Sequence, residues 1–237
     1  MTKVAAHYDQ VADIYDSHYD ERQGRIYYGH ICTSVSKNLP KGEKLLDIGC
    51  GTGLFMQRYL KTGGEVLGLD ISRGMLKKAR CRNDSEVAVG TAEVLPFKDN
   101  TFDCISSILA FSYLQNPDFM LDEAFRVLKP GGAISICTLG RNVFTAIVPA
   151  AYKIGEKLKI NRVGVGSFGE HYYREEELEG LFFDSGFEGV SVERRCFAHV
   201  DLKPPLYSLT KKIEPLVEDK FPYLAFNICA SGKKPEE

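Results

Sequence analysis

The chain has 237 residues, 44% hydrophobic and 26% charged, with a formal net charge of −2; this length suits one α/β domain with a large core. The near-neutral balance argues against nucleic acid as an obligate partner, and no run approaches the ~18 apolar residues of a membrane span. The N-terminus lacks the apolar core of a signal peptide, and the seven cysteines never reach CxxC spacing, so a cytoplasmic protein with small buried thiols and no metal site is expected.

Residues 1–36 are rich in tyrosine, and Val4, Tyr8, Val11, Tyr15 and Tyr19 recur at steps of three and four. That spacing predicts one helical face, either packed on the main domain or closing a pocket as a lid. A turn at Lys37–Glu43 leads into the apolar run Leu45-Leu46-Asp47-Ile48, which breaks into Gly49-Cys50-Gly51-Thr52-Gly53 and resumes as Leu54–Leu60. This reads as buried strand, tight turn and helix. Glycines suit a positive φ or a ligand lying against the backbone, and the helix start offers unpaired N–H groups. A strand–helix turn with no ligand has the same pattern.

Glu65–Asp70 reads as a second strand ending on an acid, and Ser72 as the N-cap of a helix that turns Met75, Leu76 and Ala79 inward. A short strand at Val87–Val89 and a loop through Thr91–Phe97 follow, then a strand at Phe102–Leu109. Leu121, Ala124, Phe125 and Leu128 line a helix stopped by Lys129-Pro130-Gly131-Gly132, and Ala133–Thr138 is the fifth strand. Strands apolar on both faces that alternate with helices predict a doubly wound, mainly parallel sheet.

The alternation lapses after residue 140. Phe144–Ile160 reads as a helical insertion whose Lys153, Lys157, Lys159 and Arg162 suit a solvated face, an anionic substrate or weak contact with a membrane surface. Gly164, Gly166 and Gly169 predict a loop. Glu175–Ser185 is a helix and Val190–Cys196 a strand. Leu206, Leu209, Ile213, Leu216 and Val217 mark an amphipathic helix interrupted near Pro215, and Leu224–Ala230 is a last strand.

The GxGxG spacing alone is a weak signal. Asp70, seventeen positions beyond Gly53, adds an acid able to accept from ribose hydroxyls. Together with Ala92-Glu93-Val94-Leu95-Pro96-Phe97, Phe102-Asp103 and Val127-Leu128-Lys129-Pro130-Gly131-Gly132, the set resembles the class I S-adenosylmethionine-dependent methyltransferases, especially the ubiquinone and menaquinone branch. The match covers roughly residues 37–140. The resemblance implies a Rossmann-like seven-stranded sheet with its last strand antiparallel. It divides one domain into an N-terminal helical lid (1–36), a cofactor-binding core (37–140), an insertion (141–170) and the rest of the sheet (171–237).

The resemblance also implies roles. Gly49, Cys50, Gly51 and Gly53 would meet the methionine part of S-adenosylmethionine, with Asp47 holding the loop or reaching the amino group. Asp70 would bind the ribose, Ile71 and Met75 would flank the adenine, and Ser107 and Ile108 would lie beside the methionine segment. The family often has Asp or Asn where Thr91 stands, so the adenine contact would pass to Ala92 or Glu93, and Tyr113 replaces a frequent histidine. Tyr8 would reach the cofactor carboxylate.

Methyl transfer to a small-molecule acceptor by in-line displacement is therefore expected, with S-adenosylhomocysteine as product and no metal. A base is needed only if the acceptor keeps its proton at neutral pH. Tyr15, Tyr19, Tyr113 and His171 are the positional candidates, with His18 and His199 behind them. Phe144, Ile147, Val148, Tyr152, Phe168, Tyr172 and Tyr173 suggest an apolar or aromatic acceptor, a quinol among the options. Two other readings stay open: a non-catalytic S-adenosylmethionine-binding protein, and an NAD-dependent oxidoreductase.

Overall fold

Within the core motif, Leu45 and Leu46 point to opposite faces of one strand, and each finds a separate apolar layer. The computed structural model describes residues 3–83, 85–143, 145, 170–199 and 202–236. The strands are β1 (Lys44–Ile48), β2 (Glu65–Asp70), β3 (Glu86–Val89), β4 (Phe102–Ile108), β5 (Leu128–Leu139), β6 (Glu188–Arg195) and β7 (Asn227–Lys233). They form a seven-stranded sheet in the order β3-β2-β1-β4-β5-β7-β6. The pairs β1–β2, β1–β4, β2–β3 and β4–β5 are parallel, while β7 runs antiparallel to β5 and to β6. The doubly wound, mainly parallel sheet with a reversed last strand is thus observed.

On one face, α3 (Arg22–Ser36), α4 (Leu54–Leu60) and α5 (Arg73–Asn83) bury Ile31, Phe55, Met56 and Ala79 against Leu45 and Cys104. On the other, α6 (Pro117–Val127) and α7 (Glu175–Asp184) bury Met120, Leu121, Leu178 and Phe182 against Leu46 and Ile134. The seven cysteines are free thiols; Cys81 is exposed and the other six are buried.

Several expectations need correction. The tyrosine-rich segment is not one helix: α1 (Lys3–Val11) stops, turns link Val11 to Ser17, and α2 (Ser17–Asp20) precedes α3. The break frees the Asp16 carboxylate to bond outside its own helix. Lys129–Gly132 does not simply end α6, because β5 already starts at Leu128, paired with Phe102, and its ladder resumes at Ala133 opposite Cys104. The turn is a bulge inside the strand, with Gly131 at φ +75°.

The helix α8 (Pro204–Lys220) runs through Pro215 without interruption. Of its five amphipathic positions, Leu206, Leu209, Ile213 and Leu216 are 49%, 59%, 40% and 57% exposed and Val217 is buried. Residues 146–169, and with them Ile147, Val148, Tyr152, Phe168 and the basic positions 153–162 of the expected insertion, lie outside the described residues, as does Phe144. Among the described residues, no helix is long and apolar enough to cross a membrane.

Candidate active site

The strand order reverses between β1 and β4, and in open α/β sheets the crevice beyond the carboxyl ends at such a point receives ligands. A cleft enclosing ≈ 1090 Å³ of empty space, open mouth included, lies there. Its floor is made by the ends of β1, β2 and β4: Ile48, Leu69, Asp70, Ser107 and Ile108.

The glycine loop forms the near wall, and three positive φ angles shape it: 71° at Gly49, 53° at Gly51 and 79° at Gly53. The three glycines do different work. A Cβ on Gly49 would lie 2.3 Å from the Ala110 Cβ, and one on Gly53 would lie 2.3 Å from Asn83 Nδ2. A Cβ on Gly51 would meet nothing within 4 Å, although Gly51 lines the cleft. Gly49 and Gly53 are therefore required by packing, and Gly51 is the position where backbone is left bare toward a ligand.

The loop's N–H groups are largely spent on the protein. Gly49 and Cys50 donate to the Leu69 carbonyl (2.7 and 3.0 Å), Gly51 to Asp70 Oδ2 (2.9 Å), and Gly53 to the Cys50 carbonyl (2.9 Å). The unpaired N–H groups expected at the helix start belong to the first turn of α4, and within the loop itself Gly49, Cys50, Gly51 and Gly53 are spent. A phosphate cradle needs such N–H groups pointed at the ligand, so the loop is poorly built for the pyrophosphate of a dinucleotide. A cationic sulfonium or ammonium needs no donors.

Asp70 closes the second wall. Its Oδ1 accepts from the Ser72 N–H (2.8 Å) and its Oδ2 from Gly51, which ties the β2 end to the loop. Each oxygen keeps a lone pair for a hydroxyl donor. Burial raises the Asp70 pKa, an effect that its backbone hydrogen bonds from Ser72, Gly51 and Ile71 oppose. Ile71, Met75, Thr91, Ala92 and Glu93 continue this wall. Glu93 is oriented by the Asn116 N–H (2.9 Å) and by Thr91 Oγ1 (3.3 Å).

The opposite wall comes from the N-terminal segment and the turn after β4. Tyr8, Tyr15 and Tyr113 line the cleft, with Tyr8 at 5.9 Å from Tyr113 and 6.1 Å from Tyr15, ring centre to centre and edge to face. Tyr8 and Tyr113 are hydrogen-bonded to each other, and burial raises both phenols; it pushes Tyr15 up to about 12. All three are protonated at neutral pH.

Four polar residues that sequence reasoning missed hold this wall in place. Asp9 Oδ1 accepts from Ser72 Oγ (2.6 Å) and from the Gly74 N–H (2.8 Å) at the start of α5, where a carboxylate also meets the positive helix end. Asp16 accepts from Thr52 Oγ1 (2.6 Å) within the glycine loop and pairs with Arg82. Arg82 Nε donates to the Thr52 carbonyl (3.0 Å), and Asn83 Nδ2 to that of Gly53 (2.9 Å). The sequence signal was the run Asp9, Asp13, Asp16 at helical steps, with Asp13 bridging to Lys78 at 2.6 Å. Val4, on the expected helical face, lines the cleft with Tyr8 and Tyr15, and Leu109, Ala110, Leu114 and Gln115 line it unforeseen, Leu109 in the left-handed region at φ 57°.

Five expected residues do not line the cleft. Asp47 is 2% exposed and accepts from Ser106 Oγ (2.7 Å), so of its two expected tasks only support of the loop from behind fits. Burial pushes its carboxyl up to about 7. Cys50 and Gly53 are buried under the loop. Tyr19 backs Tyr15 at 5.7 Å and stacks near Tyr28 at 4.9 Å. His171 is bonded to Glu177 (2.5 Å) against the Tyr173 ring, outside the cleft. Of the further histidines, His18 lies against Tyr19 and His199 between Tyr27 and Phe226.

Residues 46–136 match the family model described as "Methyltransferase domain". The chain is 32% identical over 196 residues to an uncharacterised protein of Methanocaldococcus jannaschii, covering 82% of this chain and 87% of that one. It is 33% identical over 143 residues to a demethylmenaquinone methyltransferase of Streptomyces griseus, spanning 60% of each. Its fold is similar to that of a SAM-dependent methyltransferase, possible histamine N-methyltransferase, from Thermotoga maritima, with TM-score 0.71, 23% identity and coverage of 97% and 99%. The matched segment runs from β1 to β5 and carries the glycine loop, Asp70 and the Thr91–Glu93 wall of the cleft. The chain belongs to the class I S-adenosylmethionine-dependent methyltransferases, and S-adenosylmethionine is its methyl donor.

Proposed function

We propose that this methyltransferase acts on a small, apolar or aromatic acceptor that carries no anionic group. The lining of the cleft carries the reading: Tyr8, Tyr15, Tyr113, Val4, Leu109 and Leu114 on the lid side, two acids, Asp70 and Glu93, and no lysine, arginine or histidine among the described lining residues. The donor's own carboxylate already calls on the phenol hydroxyls, so a phosphorylated or carboxylated acceptor would leave its charge without a partner among the described lining residues. The name of the Streptomyces griseus relative supports a quinol within this class. Reduced, mostly buried thiols fit the cytoplasm.

The donor brings a methyl group already activated on a sulfonium. The protein's part is to bind, align and exclude water. Asp70 accepts from ribose hydroxyls while holding the Gly51 N–H, so the residue that reads the ribose also sets the loop. Gly51 gives the methionine part close access to backbone. Ile71 and Met75, with Ala92 and Glu93 on the same wall, would hold the adenine. The three phenols lie across the cleft, where their rings wall off water and their hydroxyls hydrogen-bond the donor carboxylate or the acceptor. With the phenols protonated and His171 outside, the acceptor loses its proton to solvent or reacts as a neutral nucleophile.

A screen with methyl-labelled S-adenosylmethionine and cell extract tests this. Label should pass to organic-extractable compounds. Label found chiefly in phosphorylated or carboxylated products would overturn the acceptor class, and cofactor binding with no transfer to any fraction would favour a non-catalytic binder.

A further inference from the structure

The helix α8 is amphipathic in the inverse sense. Leu206, Leu209, Ile213 and Leu216, at steps of three and four, point to solvent, while Glu214 and Glu218 point to the body. The inward acids are well used. Glu214 accepts from the Ala198 N–H (2.8 Å) and lies 2.9 Å from His30 Nδ1; Glu218 accepts from the Cys196 N–H (2.7 Å) and pairs with Arg195 (3.3 Å). Rolling the helix to bury its leucines would strand two backbone donors and two carboxylates. Its orientation is fixed, and the apolar stripe belongs outside.

Beyond the helix end, Phe221 and Tyr223 extend the patch at 45% and 55% exposure. The rim is basic: Lys203, Lys212 and Lys220 are exposed along it, with Asp219, paired to Lys220 at 3.0 Å, as the acid on that side. A leucine stripe edged by lysines, with aromatic residues at one end, is the pattern of an interfacial helix, and the chain as a whole is slightly negative. A second copy fits less well: in a two-fold antiparallel pairing Lys212, at mid-helix, would meet its own copy. We propose that α8 docks this protein on an anionic lipid surface.

The connections support the placement. The helix leaves the carboxyl end of β6 and returns to the start of β7, and both lie on the sheet edge from which the cleft opens. An apolar acceptor dissolved in lipid would thus be brought to the cleft side. The docking itself does not depend on the acceptor's identity, and its test needs neither cofactor nor turnover.

Sucrose-loaded vesicles of phosphatidylcholine, alone or with about a third phosphatidylglycerol, are sedimented with the full chain. Binding to the anionic vesicles, weakened by salt, is expected. Leu209→Glu/Ile213→Glu should bind about tenfold more weakly or worse, and Lys212→Gln/Lys220→Gln should lose several-fold by the surface-charge rule. Lys41→Gln, exposed in the turn before β1, should bind as wild type. Helical circular dichroism and melting checked on each variant separate docking from folding. No binding to the anionic vesicles, or equal binding by the Leu209/Ile213 variant, overturns the proposal; so does a solution dimer that this variant splits.

Discussion

Gly51→Ala separates the ligand's demand on the glycine loop from the fold's. The new Cβ meets no protein atom within 4 Å, so packing does not oppose it. The cost to the free protein is the left-handed backbone, φ 53°, at about 1–2 kcal/mol for a residue with a Cβ. A methyl group on the bare backbone of the cleft wall then overlaps the bound cofactor, and overpacking of this kind costs about 1–3 kcal/mol. That corresponds to a rise in Kd of roughly 5- to 150-fold. Gly49→Ala, with its Cβ 2.3 Å from Ala110, should instead unfold easily and serves as the contrast. Calorimetry with S-adenosylhomocysteine gives the affinity and a ligand-free melt the stability. If Gly51→Ala melts as expected yet binds within twofold of wild type, the cofactor does not lie against this loop.

Three further outcomes follow from the geometry. Asp70→Ala should weaken cofactor binding and also lower the ligand-free melt, since the Gly51 and Ser72 N–H groups lose their acceptor at about 1–3 kcal/mol each; unchanged affinity by calorimetry counts against the ribose assignment. Asp47 has its folded pKa raised to about 7, so its stabilising protonation is complete below pH ~4 and is lost as pH rises through about 7, a swing on the order of 4 kcal/mol. Asp47→Asn should therefore gain stability relative to wild type as pH rises from about 4 to about 7, the interval between the two pKa values, and level off above it; a difference that stays constant across that interval would refute the buried carboxyl. Asp16→Ala removes the partner of Thr52 and Arg82, a charged hydrogen bond worth about 1.5–3 kcal/mol. Stopped-flow release of S-adenosylhomocysteine should speed up tenfold or more by that figure, and an unchanged rate removes the latch.

What the sequence disclosed and what it hid divide along physical lines. The strand–loop–helix of residues 44–60, Asp70 and the Thr91–Glu93 wall were legible because each lies within a few residues of a glycine, a cap or a strand end that fixes its direction. The lid contacts were not, because Asp9 meets Ser72 across 63 positions and Asp16 meets Arg82 across 66. Periodicity announces that a helix has an apolar stripe but not which side finds a partner. In α8 the acids found His30, Arg195 and two backbone N–H groups, and this polar network outcompeted leucine burial. His171 shows the same limit: its place in the chain said nothing of Glu177, which holds it outside the cleft.

The N-terminal segment and the glycine loop are joined by hydrogen bonds, and this ties the segment's position to the donor cleft. Tyr8 and Tyr15 face the cleft beside Asp9, which holds the start of α5, and Asp16, which holds Thr52. Cofactor that fills the cleft adds contacts to both walls, so it must favour the latched state by whatever it gains from the phenols. Conversely, anything that loosens the latch weakens the donor by the same free energy. The strut between this unit and the outer surface is α3: it follows the lid directly, Gln23 Nε2 donates to the Leu202 carbonyl (2.7 Å), and His30 contacts Glu214 of α8. Contact of α8 with lipid is therefore one helix removed from the segment that closes over the donor, and the vesicle experiment repeated with S-adenosylhomocysteine present reads any coupling between them. Tighter vesicle binding in its presence would mean that docking and closure reinforce each other; equal binding would mean that α3 holds still and the two events are independent.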